Sequence, residues 1–258
     1  MEQFNLSPNV DTNKVFLVNK SQIEGRLDVD FYQPELLKLE YRVRKKSKHK
    51  LSNYIYRLAS GATPLKSEED KYYTDDVSVG IPFLRVQNLK TDSCLDFSGL
   101  KYINQETHDK FLKRSQVKEN DLLVKITGVG RMAIAAVAPK DFIGNTNQHM
   151  VVVKTQSLDS QYLANYLNLD FVEKLASRRA TGGTRPALDF PALRSIPIIE
   201  DIDFLGLRFA QVAYKEKYQQ AKDLLESINQ YLLDELGIEL PQQDNSLKSR
   251  IFIKNFSD

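Results

Sequence analysis

The chain has 258 residues, 41% of them hydrophobic, which is enough for a buried core and excludes wholesale disorder. Its 36 basic and 34 acidic residues nearly balance, so binding to nucleic acid would require local grouping of basic side chains. One cysteine, Cys94, excludes an internal disulfide or a multi-cysteine metal site, and no run of about 18 apolar residues predicts a membrane span. We interpret Cys94 as an ordinary small side chain, find no signal peptide in MEQFNLSPNVDTNK, and expect a cytoplasmic protein.

Residues 1–50 predict an N-terminal segment followed by a helix. Val15 to Val18 form an apolar run that suits a strand or a docking segment. Pro34 suits the first turn of a helix, and the apolar residues from Leu36 to Val43 continue it. The helix runs into a basic stretch from Arg42 to Lys50, which we interpret as a solvated helix end, with contact to phosphate as the alternative.

The pattern of residues 51–199 predicts a mixed α/β domain. Together with the long C-terminal helix described below, it gives the chain an expected fold class of α+β. Short apolar or β-branched runs bounded by turn residues predict strands, and helical periodicity follows them. The predicted strands are Ile81–Val86, Asp121–Ile126, Met132–Val137 and His149–Lys154; the predicted helices are Glu106–Leu112 and Tyr162–Leu175. The basic, glycine-bearing stretch RRATGGTRP, Arg178–Pro186, predicts a loop.

Residues 200–240 predict a long helical spacer. Phe204 to Leu236 contains no proline and only Gly206 as an internal glycine, and Gly237 and Pro241 end the helix. Because a lone amphipathic helix gains little stability in water, its heptad stripe predicts coiled-coil-like pairing; packing on the chain's own core is the alternative. The predicted interface consists of Leu207, Tyr214, Tyr218, Ala221, Leu225, Ile228 and Leu232.

An internal repeat links the two ends of the sequence. VFLVNKSQ at Val15–Gln22 aligns with IFIKNFSD at Ile251–Asp258, with Phe, Asn and Ser in the same places. We therefore expect residues 241–258 to begin a second repeat and the reading frame to continue with a second variable domain. A half-length protein with a frayed tail is the alternative.

The residues do not predict catalysis. The sequence has no GxxxxGK[ST] phosphate loop and no Pro-Pro pair, so neither a nucleotide loop nor the Asn-Pro-Pro-aromatic pocket of adenine methylation is expected. His49, His108 and His149 lack metal-ligand spacing. The carboxylates and lysine of Glu69–Lys71 lie in a charge-rich stretch that we interpret as a solvated loop. We expect no catalytic residue, no metal and no cofactor.

Several stretches, in order along the chain, carry a family resemblance. They are RLDVDFYQPEL at Arg26–Leu36, SGATP at Ser60–Pro64, IPFLRVQNL at Ile81–Leu89, NDLLVKITGVGRMAIA at Asn120–Ala135, NTNQHMVVV at Asn145–Val153 and TGGTRPALDFPALRSIPI at Thr181–Ile198, followed by the long helix. Together they resemble specificity subunits of Type I restriction-modification systems. The resemblance implies a target recognition domain that reads one half of a split site in double-stranded DNA.

The resemblance also implies partners. The helical spacers of two recognition halves pair antiparallel in such subunits, in one chain or between two copies. Methyltransferase (M) subunits dock on the spacers, and restriction/translocase (R) subunits join for cleavage. Methylation and cleavage belong to those other subunits, so the resemblance implies a non-catalytic chain.

Reading a base sequence requires loops that present forked donors and amides to base edges, with arginine suited to guanine and asparagine or glutamine to adenine. Glycine lets the backbone approach a phosphate closely. Turn chemistry alone also selects Asn, Thr and Gly, so each segment has a structural interpretation as well. The predicted DNA-binding residues are Thr63, Lys66, Arg85, Gln87, Lys125, Thr127, Arg131, Asn147, Gln148, Arg179, Gly183 and Arg185.

Two other functions remain open from the sequence. A restriction endonuclease with its own recognition domain would need a metal-binding carboxylate cluster, and the purified chain would nick DNA with magnesium. A coiled-coil assembly module would bind protein through the α/β domain, with no protection of DNA.

Overall fold

The structure, a computed structural model, describes residues 6–11 and 14–237. The chain falls into two units that divide between Ile202 and Asp203, and each is described by itself. The first unit mixes helices with β-sheet and the second contains a long helix, which confirms the α+β class and the C-terminal helix. Within the described ranges, no helix is long and apolar enough to cross a lipid bilayer.

In the first unit, short strands lie between helix α1, which comes first, and a group of helices at its C-terminal end. The strands are β1 (Ile55–Ser60), β2 (Ile81–Leu84), β3 (Lys101–Ile103), β4 (Gln116–Lys118), β5 (Leu122–Lys125), β6 (Ala135–Val137), β7 (Ile143–Thr146) and β8 (Met150–Thr155). The helices are α1 (Pro34–Lys46), α2 (Glu69–Tyr72), α3 (Ser160–Leu167), α4 (Asp170–Arg179) and α5 (Phe190–Arg194). A π-helical turn, Thr107–Phe111, lies where the sequence predicted a short helix.

The strands form two four-stranded sheets. The first has the strand order β1-β8-β5-β6 and the second β3-β2-β7-β4. Neighbouring strands are antiparallel except for β2 and β7, which run parallel with Leu84 opposite Thr146. Because parallel strands need a long connection, this pair joins segments that are far apart in the sequence.

Strand β5 lies at the centre of the core. Leu122, Leu123 and Val124 are fully buried. Leu123 packs with Leu84 and Val117 of the second sheet, and α3 packs against β5 and β6. Cover on both faces explains why β5 is a continuous apolar run and not an alternating one.

Two predicted elements differ from the structure for local reasons. Met132–Val137 is a strand only from Ala135, because Ala133 has a left-handed backbone with φ of 55°. The predicted helix Tyr162–Leu175 divides into α3 and α4 near Asn168. The Asn168 amide donates to the Ala135 carbonyl at 2.7 Å and accepts from its N–H at 3.0 Å. The side chain therefore acts as an extra strand partner at the helix junction.

The N-terminal segment contains no strand at Val15–Val18, where the backbone is irregular and Val15 is half exposed. Phe31 and Tyr32, which lie just before α1, are buried. Helix α1 starts at Pro34, as predicted, and its last turn carries the first part of the basic stretch. Phe31 and Tyr32 therefore anchor this segment to the rest of the first unit.

The second unit is helix α6 (Phe204–Glu235), which starts at the predicted residue and ends one residue earlier than predicted. The Asp203 side chain caps it by accepting from the Gly206 N–H at 2.9 Å, and Gly237 follows it with φ of 63°. Thirty-two residues give a helix about 48 Å long. The sequence located this helix by its heptad stripe, its lack of proline and the stop at Gly237; the Asp203 cap at its start is a finding of the structure.

Within the second unit, the described residues of the predicted heptad interface are exposed: Leu207, Tyr218, Ala221, Leu225, Ile228 and Leu232. Leu225 is 64% exposed and Ile228 48%. The Tyr214 side chain, Pro241 and the repeat at Ile251–Asp258 lie outside the described residues. Pairing of the helix stays a prediction.

Candidate nucleic-acid interface

The strand directions bring several strand ends to one edge of the first sheet. Strands β1 and β5 both run antiparallel to β8 and flank it. Ser60 at the end of β1 lies opposite Val151, and Lys125 at the end of β5 lies opposite Met150. The loops after β1 and β5 therefore leave the sheet beside the loop that enters β8.

Backbone hydrogen bonds join the second sheet to this edge. The Asn147 N–H donates to the Leu84 carbonyl at the end of β2, and the Gly61 N–H donates to the Asn147 carbonyl, both at 3.2 Å. A Cβ atom on Gly61 would lie 1.6 Å from the Thr146 carbonyl oxygen. Position 61 therefore requires glycine, because only a backbone without a side chain can approach so closely.

Further backbone bonds attach the two glycine-bearing loops to the same edge. The Ile126 N–H donates to the His149 carbonyl at 3.0 Å, and the Leu188 N–H donates to the Ile126 carbonyl at 2.7 Å. The Gly128 N–H donates to the Pro186 carbonyl at 3.1 Å. Each predicted DNA-reading segment is thus connected to another. We call residues 60–66, 84–88, 125–131, 145–149 and 181–188 the loop edge.

Some predicted side chains on the loop edge are accessible. Thr63 and Gln148, which come from different segments, are both exposed, and the Thr63 hydroxyl donates to the Gln148 side-chain oxygen. Thr127 is half-buried. Gln87, Gly183 and Arg185 are exposed as well. These residues offer a hydroxyl, amides and a guanidinium, which are groups that can meet base edges or phosphates.

Two arginines of the loop edge are half-buried and bonded. Arg85 donates to the Gly99 carbonyl at 2.9 Å, and Arg131 donates to the Asn168 carbonyl at 2.8 Å and pairs with Asp170 at 2.6 Å. The Nε atom of each arginine is buried and has no hydrogen-bond partner among the described residues. Because the Asp170 side chain is 80% exposed, its ion pair with Arg131 contributes about 1 kcal/mol at most and is readily exchanged.

Three predicted DNA contacts lie in the interior, and we withdraw them as direct contacts. Arg179 is 4% exposed and donates to Glu40 at 2.6 Å. Lys125 is also 4% exposed, and its ammonium donates to the Val129 carbonyl at 2.7 Å, where burial lowers its pKa. Asn147 is buried, and its side chain accepts from the His149 N–H at 3.1 Å. These side chains hold the loops in place. The side chain of Lys66 lies outside the described residues.

A buried ionic cluster explains the position of Arg179. Glu40 of α1 accepts hydrogen bonds from Arg178 and Arg179 at the end of α4 and from Arg44 one turn along α1. The Arg178 guanidinium also lies 3.9 Å from the centre of the Phe31 ring. Burial works to raise the pKa of Glu40, but the positive charges of the three arginines outweigh it and lower that pKa. The cluster therefore fixes the end of α4, from which loop 181–188 departs.

Arg114 is a candidate that the sequence analysis missed. It is exposed, and its guanidinium donates to the Gly61 carbonyl at 3.3 Å, so it lies beside the loop edge. It belongs to an ordinary turn, Lys113–Ser115, with no glycine or amide cluster around it. Only the fold brings it to Gly61, and no local signal could have found it.

The first unit belongs to a known family. The model of the Type I restriction modification DNA specificity domain matches residues 46–199, and the chain is a member of that family. No curated protein matches the sequence. Among the described residues, no group of three or more His, Cys, Asp or Glu side chains is arranged to hold a metal ion.

Solved structures resemble the chain at low sequence identity. The Type I S subunit from M. genitalium is 14% identical with a TM-score of 0.36, over 72% of this chain and 43% of that one. The HsdS subunit from Thermoanaerobacter tengcongensis is 15% identical with a TM-score of 0.39, over 75% of this chain and 46% of that one. The chain therefore spans less than half the length of these two subunits.

The type IIG restriction endonuclease BpuSI has a TM-score of 0.50 at 11% identity, over 68% of this chain and 27% of that one. That likeness concerns the fold alone.

Proposed function

We propose that this chain is one half of a specificity subunit and reads one half of a bipartite site in double-stranded DNA. The observation that carries the proposal is the loop edge, where segments from five parts of the sequence meet within a DNA specificity domain. Each segment is attached through its backbone, which leaves exposed side chains free to face a ligand. A site built from several loops on a rigid support suits the recognition of a base sequence.

The chemistry of the loop edge fits the major groove of DNA. That groove is about 12 Å wide and presents a distinct pattern of donors and acceptors for each base pair. Arg185 can offer two parallel donors to guanine, and Gln87 and Gln148 can pair with adenine. The proposed contacts are Thr63, Lys66, Arg85, Gln87, Thr127, Arg131, Gln148, Gly183 and Arg185.

The proposal extends to partners. Helix α6 pairs through its exposed heptad stripe with the equivalent helix of a second repeat or of another copy. Methyltransferase subunits dock on the paired helices, and a restriction/translocase subunit joins that complex in the cytoplasm. Those subunits carry out methylation and cleavage, and this chain recognises the DNA site.

Sequencing of methylated adenines in cells that carry the intact system tests this function. We expect a bipartite motif, and Arg185→Ala should relax it or reduce methylation in one half only. A bidentate arginine–guanine contact is worth about 1–3 kcal/mol, so its loss should lower methylation rates about 5- to 150-fold. A random methylation pattern, or a motif indifferent to substitutions on the loop edge, would contradict the proposal.

The likeness of fold to BpuSI makes an enzymatic alternative worth a direct test. The purified chain is incubated with plasmid DNA and magnesium. We expect no nicking, because the proposed role is recognition without catalysis. Magnesium-dependent nicking that survives further purification would favour an endonuclease.

A further inference from the structure

A groove of about 480 Å³ lies on the flank of the first unit, behind the loop edge, with residues of β1, β8 and β4 in its walls. We call it the flank groove. Five basic side chains line it: Arg57, Lys113, Arg114, Lys118 and Lys154. None of them was predicted from the sequence to contact DNA, and the proposed contacts do not include them; Arg114 is the candidate already described beside the loop edge.

Most of these positive charges are available to a ligand. The Lys154 ammonium pairs with the Asp121 carboxylate at 2.5 Å, so these two charges neutralise each other. Glu119, the other acidic residue of the groove, accepts from the Asp141 N–H at 3.0 Å. The other four basic residues are exposed and form no ion pair with another described residue: Arg57, Lys113, Arg114 and Lys118. The groove therefore carries an excess of positive charge and suits an anion.

The flank groove is continuous with the loop edge. Arg114 lines the groove and donates to the Gly61 carbonyl, which belongs to the loop edge. Arg57 precedes Ser60 by three residues of β1, which places it about 10 Å behind the edge. Lys118 on β4 lies opposite Ile143, at the end of β7 that is remote from the edge. The basic residues thus extend backwards from the edge along one flank.

The dimensions of DNA match this arrangement. The major groove is about 8.5 Å deep, and a phosphate backbone runs along each of its rims. An edge that reaches the bases at the floor of the groove therefore meets phosphates on its flanks, about the same distance back.

We propose that the flank groove holds the sugar–phosphate backbone of one DNA strand while the loop edge reads the bases. This inference rests on the proposed function. It adds contacts that act on every sequence alike and that set how deeply the loop edge enters the major groove. An acidic segment of a protein is the competing occupant, but continuity with the loop edge favours DNA.

The experiment measures anisotropy of a labelled short duplex of randomised sequence, titrated with the full chain at salt from about 50 to 200 mM. The test variant is Lys113→Ala with Lys118→Ala. We expect weaker binding. In a plot of log Kobs against log salt, the negative slope should become shallower by about 0.9 for each lost phosphate contact. The sequences recovered from the bound fraction should be the same as for the unmodified chain.

The matched control is Lys20→Ala with Lys38→Ala, which removes the same charge from exposed positions outside the groove and the loop edge. Its salt slope should equal that of the unmodified chain. An unchanged slope for the groove variant, with Arg185→Ala still weakening binding, would overturn the groove proposal and leave the proposed function standing. If the unmodified chain fails to bind any duplex at low salt, the proposed function itself fails. Groove-dependent binding of a polyglutamate peptide without any effect on DNA would assign the groove to a protein.

Discussion

Among the glycines of the loop edge, Gly61 leaves the least space for a Cβ atom. A Cβ atom there would also lie 2.5 Å from the Thr146 carbonyl carbon, so Gly61→Ala forces the β1 and β7 ends apart. We expect a loss of about 1–3 kcal/mol in the free energy of unfolding, measured by urea titration, because overpacking is relieved only by backbone movement. DNA binding should fall in parallel, since Asn147 and Gln148 follow Thr146.

Gly183→Ala is the matched control for the stability measurement. A Cβ atom at position 183 meets no heavy atom within 4 Å, so the free energy of unfolding should change by about 0.5 kcal/mol or less. If both alanine variants were equally stable, the junction at Gly61 would be looser than the structure indicates.

Glu40 is a buried carboxylate whose ionisation stabilises the folded state. Its pKa is lowered below the ordinary value of 4.5, because the three arginines outweigh the effect of burial. A lowered pKa in the folded state means that the unfolded state binds more protons at low pH. The stabilisation is therefore complete above about pH 4.5 and is lost as the pH falls through the lower, folded-state pKa.

Glu40→Gln leaves Arg178 and Arg179 in the interior without a counter-charge. We expect a loss of about 3–5 kcal/mol at neutral pH, measured by urea unfolding, and a weaker dependence of stability on pH in the acidic range. Glu35→Gln, on the exposed side of the same helix, should do neither. Equal behaviour of the two variants would mean that the buried cluster contributes no net stability.

The residue scale also marks the limit of inference from sequence. RRATGGTRP has the composition of a DNA-binding loop, and its exposed members, Gly183 and Arg185, fit that interpretation. Arg178 and Arg179 do not, because they meet a carboxylate that lies far away in the sequence. The sequence cannot reveal that a basic side chain is neutralised when the acidic partner lies far away in the chain.

At the scale of elements, helix α6 was predictable and the sheets were only partly so. The helix has a local cap at Asp203, a local stop at Gly237 and no break between them. The short strands β3 and β4 carry too few residues for a pattern of their own, and their pairing with β2 and β7 gives them their extended form. A local hydrophobic pattern cannot show which distant strands pair with each other.

A seven-residue deletion tests helix α6 as a spacer. Removing residues 221–227 keeps the heptad register and shortens the helix by about 10 Å, which is about three base pairs of DNA. We expect the gap between the two halves of the methylated motif to shorten, as measured by sequencing of methylated adenines in the assembled system. Deleting residues 221–224 instead breaks the register and should abolish pairing. A gap that stays unchanged after the seven-residue deletion would exclude the spacer role.

At the scale of the whole molecule, the division into two units predicts that recognition and spacing are separable. We expect that replacing residues 51–199 with the corresponding domain of another family member changes the bases of one half-site and leaves the gap as it was. Sequencing of methylated adenines provides both readouts. The reciprocal control exchanges residues 203–237 and should leave both half-sites unaltered. A coupled change would show that the units do not act independently.

The boundary between the units illustrates what sequence can supply at this scale. The long segment without proline that begins at Phe204, with its heptad stripe, predicted where the helix begins, and the two units divide beside it. The loop edge itself could not be predicted as a single surface. It depends on the parallel pairing of β2 with β7, which brings Leu84 beside Thr146 across a long stretch of chain.

The main-chain bonds that join Asn147 to Gly61 and Leu84, and Ile126 to His149, have an evolutionary consequence. Amide and carbonyl groups are the same whatever side chain a residue carries, so neighbouring positions can mutate without loosening the framework. Under the proposed function, point substitutions on the loop edge can therefore change the bases that are read, with little loss of stability for each substitution. Gly61 is the exception, and we expect it to stay invariant while the recognised base sequence changes.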